Sequence, residues 1–328
     1  MVSDNQLYLA PFQGITGHTF RKVYACHFRG INKYYTPFFS KIDHDTRLSA
    51  RKEKELQHLG KDFPELVPQI LSKDPAEILR FARICESRGF KELNWNLGCP
   101  FPQVAHKKRG SGMMPYPDLV NDILEKVMPS IPLKFSIKCR LGYEHPDEIF
   151  EMIPVFNQFP IHELTLHGRI GRQLYSGSVD MDRMLKVIPL LRIPFVFNGD
   201  ILSKSTFDAA SKQMPGVNRW MIGRGVLINP FLPADIKGVI DYPDRRAKLR
   251  LFMDDLYYAY RVDMNDRLTI LNVLKEYWGF LFQWFENPQK VTRIIKKVKT
   301  FDEYEDAVKR IFETEEFREN DGTVLPVI

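Results

Sequence analysis

The stretch DPAEILRFARICESRGFKELNWNLGCPF, residues 74–101, decides the fold. Its first half reads as a helix: Asp74 is an acidic N-cap, Pro75 suits the first helical position, and Gly89 closes it. Two residues later comes ELNWNLG (92–98), a short β-prone apolar run that breaks at Gly98, Cys99 and Pro100. A helix feeding a short strand, with polar and reactive residues at the strand's exit, is one unit of an alternating α/β chain.

The unit recurs on both sides. Further β-prone runs are YLAPF at 8, YYTPFF at 34, LVPQIL at 66, FSIKCRL at 135, ELTLHG at 163, FVFNGD at 195 and RWMIGRG at 219, eight in all with ELNWNLG. Every interval is long enough for a helix, so the expected fold class is α/β, a (β/α)8 TIM barrel over residues 1–242. A doubly wound open sheet is the competing arrangement. After NPFLPADIKGVIDYPD (229–244) glycine thins out, and RRAKLRLFMDDLYYAYRV and RLTILNVLKEYWGFLFQWF carry helical spacing of apolar residues. The boundary falls near Pro243, and residues 243–328 are expected to form a smaller C-terminal helical domain.

Composition fits such a chain: 328 residues, 44% hydrophobic and 27% charged. No segment approaches the roughly 20 apolar residues of a membrane span, and MVSDNQLYLAPF lacks the basic and apolar regions of a signal peptide. The expectation is a cytoplasmic protein with no membrane partner and no obligate protein partner, a monomer. The net charge is +6, distributed as +8 over the first 240 residues and −2 over Asp241–Ile328. That distribution points to an anionic partner for the barrel. Cys26, Cys85, Cys99 and Cys139 lack the close pairing of a zinc site, and no metal is expected. Cys26, Cys85 and Cys139 read as packing thiols. Cys99 differs, because a packing cysteine belongs inside the run and not between a glycine and a proline at its exit.

In a barrel the chemistry sits at the C-terminal ends of the strands. Gln69 closes the third run, Asn96 and Cys99 follow the fourth, Lys138 and Arg140 lie late in the fifth, and His167 and Arg169 end the sixth. Asn198, Gly199 and Asp200 end the seventh; Gly223, Arg224 and Gly225 end the eighth. One such residue is a cap or an ion-pair partner, but polar residues at six successive ends line a pocket. The NGD and GRG loops have the character of a phosphate site after strands seven and eight, with Arg224 offering a bidentate contact. Lys138 is costly to bury without an anion, which is either a carboxylate of the protein or a bound group that becomes negative on reduction. His167 is either a satisfied core histidine or a ligand contact.

These residues lie within motifs that resemble those of the tRNA-dihydrouridine synthases: LAPFQGITGHTFR, VPQILSKDP, ELNWNLGCPFPQV, SIKCRLG, LHGRIGRQLYSG, FNGDI and MIGRG, in the family's order over most of the chain. The resemblance implies a barrel that binds flavin mononucleotide (FMN), followed by a helical tRNA-recognition domain. It implies that Pro11, Gln69, Lys138 and His167 contact the flavin ring and its attached chain, and that Asn198, Gly199, Asp200, Gly223 and Arg224 surround the ribityl chain and phosphate. It implies that Asn96 touches the substrate uracil, that Arg169 is nearby in the same cavity, and that Cys99 is the general acid. Reduced flavin, recharged by NADPH or NADH, then gives a hydride to C6 of a uridine in tRNA while Cys99 protonates C5. A thiol with a pKa near 8.5 suits that task. Gly98, Gly110 and Gly112 are expected to let the loop move over the base, and Lys107, Lys108 and Arg109 to meet RNA phosphates. Two positions depart from the family: Phe12 stands where methionine is frequent, and GSGMMPYPD is bulkier than usual.

QKVTRIIKKVKT (289–300) carries five basic residues and no acid. Arg293, Lys296 and Lys297 share a helical face above Val291, Ile294, Ile295 and Val298. That face is either simply solvated or an RNA-backbone contact. Two other readings remain at this point: a flavin barrel acting on a free pyrimidine, like the dihydroorotate dehydrogenases, which needs neither the basic loop nor the helical domain, and an RNA-binding protein without redox chemistry.

Overall fold

Pro68 has no amide hydrogen to give to a sheet, and the barrel closes around it. The computed structural model describes residues 4–42, 47–60, 62–239 and 241–318; the end of the expected helical part, 319–328, lies outside these. The strands are β1 (Gln6–Leu9), β2 (Lys33–Tyr35), β3 (Glu65–Val67), β4 (Gln69–Ile70), β5 (Glu92–Leu97), β6 (Lys134–Gly142), β7 (Leu164–Ile170), β8 (Phe195–Asn198) and β9 (Arg219–Ile222). All pair in parallel, in the order β3-β2-β1-β9-β8-β7-β6-β5-β4. The two ends of that order, β3 and β4, are one extended segment broken at Pro68. Before the proline it pairs with β2, and after it with β5, where Asn94 N donates to Pro68 O at 2.9 Å. The sheet therefore has no free edge, which excludes the open-sheet alternative, and the eight apolar runs supply its eight staves.

Helices return the chain between staves: α1 (His18–His27), α2 (Ala50–Glu55), α3 (Pro75–Ser87), α4 (Pro102–Ala105), α5 (Pro117–Val127), α6 (Glu148–Phe156), α7 (Met181–Val187), α8 (Lys204–Gln213) and α9 (Arg224–Ile228). In α3 the Asp74 carboxylate accepts from Ala76 N at 3.0 Å and Pro75 stands at the start, as its sequence predicts. The main core lies between strands and helices. A second, smaller one of Tyr8, Ala10, Tyr35, Val67, Val196 and Met221 fills the barrel. Its floor, at the N-terminal ends of the strands, is ionic: Lys33 Nζ bridges Glu92 at 2.7 Å and Glu163 at 3.0 Å, and Arg219 meets Glu163 at 3.1 Å. Those charges neutralise one another, as burial requires.

After α10 (Leu232–Lys237), the chain builds α11 (Arg245–Asp263), α12 (Arg267–Leu281), α13 (Pro288–Lys297) and α14 (Phe301–Thr314). No helix among the described residues is long and apolar enough to cross a membrane. The C-terminal helices share the barrel's hydrophobic core. Phe252 of α11 packs edge-on against Phe20, Tyr24 and Phe28 of the α1 region, and Trp284 Nε1 donates to Ile228 O at 2.8 Å.

One cysteine departs from expectation. Cys85 and Cys139 are buried, but Cys26 is exposed, because α1 turns Val23, Tyr24 and His27 inward and leaves Lys22 and Cys26 on the solvent side. Urea unfolding separates these environments. Phe252→Ala should cost about 3–5 kcal/mol through the cavity it leaves between α1 and α11. Cys26→Ala should stay within about 0.5 kcal/mol of the parent, as an exposed position does.

Candidate active site

Strand register assembles the mouth. Asn96 lies opposite Lys138, Arg140 opposite His167, and His167 opposite Asn198, so residues far apart in sequence come to one level of the barrel. Above them opens a cavity of about 330 Å³. Its walls include Pro11, Gln69, Asn96, Cys99, Lys138 and His167, together with Asn198, Gly199, Asp200, Gly223 and Arg224.

Cys99 is nearly buried, at 7% exposure, and its loop is tightly held. Asn96 Oδ1 accepts from Gly98 N at 3.0 Å and Cys99 N at 2.8 Å, while Cys99 O accepts from both Ser111 N and Ser111 Oγ at 3.0 Å. Two of the three glycines expected to let the loop move, Gly110 and Gly112, are also places of close backbone contact. A Cβ on Gly110 would lie 2.6 Å from Cys99 O, and one on Gly112 2.2 Å from Ala105 O, so they are small because the backbones touch. Burial pushes the Cys99 thiol up from its ordinary pKa, against the Phe101 amide and the charges of Arg140 and Lys138. The thiol thus keeps its proton at neutral pH, with a donor and two cations in place for the thiolate it would become.

Lys138 resolves its own alternative: no carboxylate among the described residues pairs with it, although it faces the cavity. Burial, helped by Arg140, lowers its pKa to about 8. His167 is held neutral by burial and by Arg140, Lys138, Arg169 and Arg224 around it. Arg140 itself lines the cavity and clamps three carbonyls, Gly98 O at 3.0 Å and Ile170 O and Leu174 O at 2.8 Å. Sequence reasoning placed it at a strand end without a role; its i, i+2 spacing from Lys138, which puts both on one face of β6, was the available signal.

Arg169 is not part of the cavity lining. Its guanidinium is fully engaged behind the wall, donating to Ser176 O and Gly177 O and to both oxygens of Asp200 at 2.9 and 2.6 Å. The cause is an extra residue in β7: Arg140 pairs with His167 but Gly142 pairs with Ile170, and such a bulge re-aims the side chains beside it. Asp200, between Arg169 and Arg224, orients the latter with a 2.9 Å contact and is itself unsuited to a phosphate. The eighth loop comes close to the seventh, where a Cβ on Gly225 would lie 2.1 Å from Ile201 O.

Lining residues that sequence reasoning did not single out include Phe38; Tyr175, stacked on Phe12 at 5.8 Å; and Glu276, which arrives from α12. Lys107 and Lys108 are exposed on the turn after α4, Arg109 is half-buried beside them, and Lys108 lies 3.9 Å over the Tyr116 ring. On α13, Val291 and Ile295 are buried and Arg293, Lys296 and Lys297 exposed, without an ion pair among the described residues; Lys290 is taken by Glu315 at 2.6 Å.

A family model for dihydrouridine synthase matches residues 8–250. The tRNA-dihydrouridine synthase B of Pasteurella multocida (strain Pm70) is 31% identical over 242 residues, 72% of this chain and 70% of that protein. The protein of the same name from Pectobacterium carotovorum is 29% identical over 250 residues, 75% and 76% of the two chains. Among solved structures, histamine dehydrogenase from Rhizobium sp. 4-9 superposes with a TM-score of 0.53 at 12% identity, over 78% of this chain and 49% of that one, a likeness of fold. Since the family match runs unbroken through the cysteine loop and both glycine loops, the chain belongs to the dihydrouridine synthase family.

Proposed function

We propose that this protein is an oxidoreductase that reduces the C5–C6 double bond of uridines in tRNA, with FMN as its cofactor and NADPH or NADH as reductant. The observation that carries the reading is a buried Cys99 thiol on the wall of a cavity whose Lys138 pairs with no carboxylate among the described residues, in a chain of this family. That lysine fits a flavin, which becomes anionic on reduction. Pro11, Gln69, Lys138 and His167 would hold its ring side; Asn198, Gly199, Gly223 and Arg224 would hold its chain and phosphate, with Asp200 setting the Arg224 fork. Bound there, the flavin supplies the hydride that goes to C6 of the uracil ring. Charge then accumulates on C5 and the neighbouring carbonyl of the base, and Cys99 gives its proton to C5. Arg140 and the Phe101 amide stabilise the thiolate left behind.

The RNA is read by surface charge. Lys107, Lys108 and Arg109 beside the cysteine loop, and Arg293, Lys296 and Lys297 on α13, contact phosphates, with residues 243–328 as the recognition part. The α13 trio is exposed and makes no ion pair among the described residues, so its charges are available to phosphate. Arg169 is left out of the substrate contacts, since its donors are already spent.

The deciding measurement separates two half-reactions. With FMN, NADPH and unmodified tRNA the protein should form dihydrouridine. Cys99→Ala should keep flavin binding and NADPH-dependent flavin reduction but lose roughly 10²–10⁴-fold in uridine reduction, the usual worth of a positioned acid. Conversion of tRNA at the parent rate would refute the acid role.

Charge on Lys138 should be visible in cofactor affinity. The lysine is cationic below about pH 8 and neutral above it. An anion bound against it favours the protonated form, so affinity must fall as pH rises past that value. Reduced FMN titrated anaerobically into cofactor-free protein, followed by tryptophan fluorescence, should bind more weakly above pH 8. Lys138→Met should bind weakly throughout, without that fall.

Salt dependence tests the α13 contact. Removing Lys296 and Lys297 together should flatten the slope of log affinity for tRNA against log salt by up to about two units. An unchanged slope returns α13 to a solvated face.

A further inference from the structure

A continuous hydrogen-bonded chain of buried side chains runs inside the barrel from its ionic floor to the cysteine loop. Ser136 Oγ donates to Glu92 Oε1 at 2.5 Å and accepts from Asn94 Nδ2 at 2.9 Å. Asn94 Oδ1 accepts from Gln69 Nε2 at 2.8 Å, and Gln69 Oε1 accepts from Asn96 Nδ2 at 2.7 Å. Asn96 Oδ1 then accepts from the backbone N–H groups of Gly98 and Cys99. Glu92, Ser136, Asn94 and Gln69 are at most 2% exposed.

The direction of every link follows from its ends. Backbone N–H groups only donate, so the Asn96 atom facing them must be its oxygen, and the amide nitrogen must face Gln69. That orients Gln69, which orients Asn94, which makes Ser136 the donor to Glu92. A carboxylate whose other oxygen already accepts from the Lys33 ammonium at 2.7 Å is the matching terminus. The consequence at the mouth is chemical. Asn96 Oδ1 has both lone pairs occupied and one of its two N–H bonds spent, so the side chain has a single N–H left to offer.

We propose that Glu92, Ser136 and Asn94 are positioning residues whose relay locks Asn96 so that it offers the substrate base one donor, aimed at a carbonyl oxygen, while fixing the backbone that carries Cys99. The identity of the base rests on the function proposed above. Reversing the Asn96 amide would require every link to reverse and would leave two backbone N–H groups facing an NH₂, so the relay acts as a unit.

The test cuts the chain two links below the cavity wall. Ser136→Ala removes the link between Asn94 and Glu92 seen among the described residues and leaves the floor ion pairs intact. Uridine reduction should fall about 10–100-fold in kcat/KM, the scale on which misplacing reactive groups acts, with NADPH-dependent flavin reduction unchanged. In the Asn96→Ala protein the same change should have no further effect, whereas additive losses in that cycle would overturn the relay. In cofactor-free protein carrying Cys26→Ser, Ser136→Ala should speed iodoacetamide alkylation of Cys99 about fivefold, as the loss of about 1 kcal/mol of hydrogen bonding would. Unchanged alkylation together with unchanged kcat/KM also overturns the proposal. Asn94→Leu cuts the relay one link nearer the cavity and must reproduce both effects, which covers a Ser136→Ala protein that fails to fold. If the parent protein does not reduce uridine, the functional reading falls, while the alkylation rates still decide the relay.

Discussion

Closure of the sheet at Pro68 is the constraint from which the site follows. A parallel sheet buried on both faces cannot leave an edge unpaired, and the short segment 65–70 must satisfy β2 on one side and β5 on the other. The proline marks the change of partner, because its carbonyl can accept from Asn94 while it has no donor to leave stranded. Immediately after it comes Gln69, which is thereby fixed inside the barrel beside Asn94 and Asn96.

The two ends of the barrel treat charge in opposite ways. At the floor, Lys33 and Arg219 face Glu92 and Glu163 at 2.7–3.1 Å, and each charge meets its complement. At the mouth, Lys138, Arg140 and Arg224 face the cavity with Asp200 as the only acid paired there among the described residues, and that acid is shared between Arg224 and Arg169. The folded protein therefore bears a desolvation cost at Lys138 that no carboxylate among the described residues offsets, a pattern that fits an anion-binding site. Conservation of structure and capacity for chemistry are thus separated along one axis.

Much of this was legible in the sequence because strands have a period of two and an exit. The eight apolar runs all became staves, and the residues named at their ends were brought to one cavity except Arg169 and Gly225. Arg169 was misplaced because a bulge in β7 adds a residue that no alternation pattern reveals. The glycines at 110 and 112 look alike whether they serve motion or contact; only the distance to the opposing backbone distinguishes the two, and here it shows contact. Cys26 was misread because four cysteines were judged by their neighbours in sequence, whereas exposure on α1 depends on a helical angle. Glu276 was out of reach, since its place at the mouth depends on how α12 packs against the barrel.

That packing is also part of how the cavity is made. The loop carrying Pro11 and Phe12 is turned by Thr16, whose Oγ1 accepts from Phe12 N at 2.7 Å, and is anchored by Arg21, which donates to Thr16 O at 2.8 Å and to Glu55 at 2.9 Å. Its remaining anchor comes from outside the barrel: Tyr277 of α12 donates to Ile15 O, pairs with the Tyr260 hydroxyl at 2.8 Å, and stacks on Phe20 with ring centroids 5.3 Å apart. Fully buried hydroxyls hold such positions firmly, because releasing them leaves an unsatisfied carbonyl. The residue before that tyrosine is the exposed Glu276, which lines the cavity, so the helix that fixes one wall also contributes a carboxylate to it. The C-terminal helices thus complete the cavity wall.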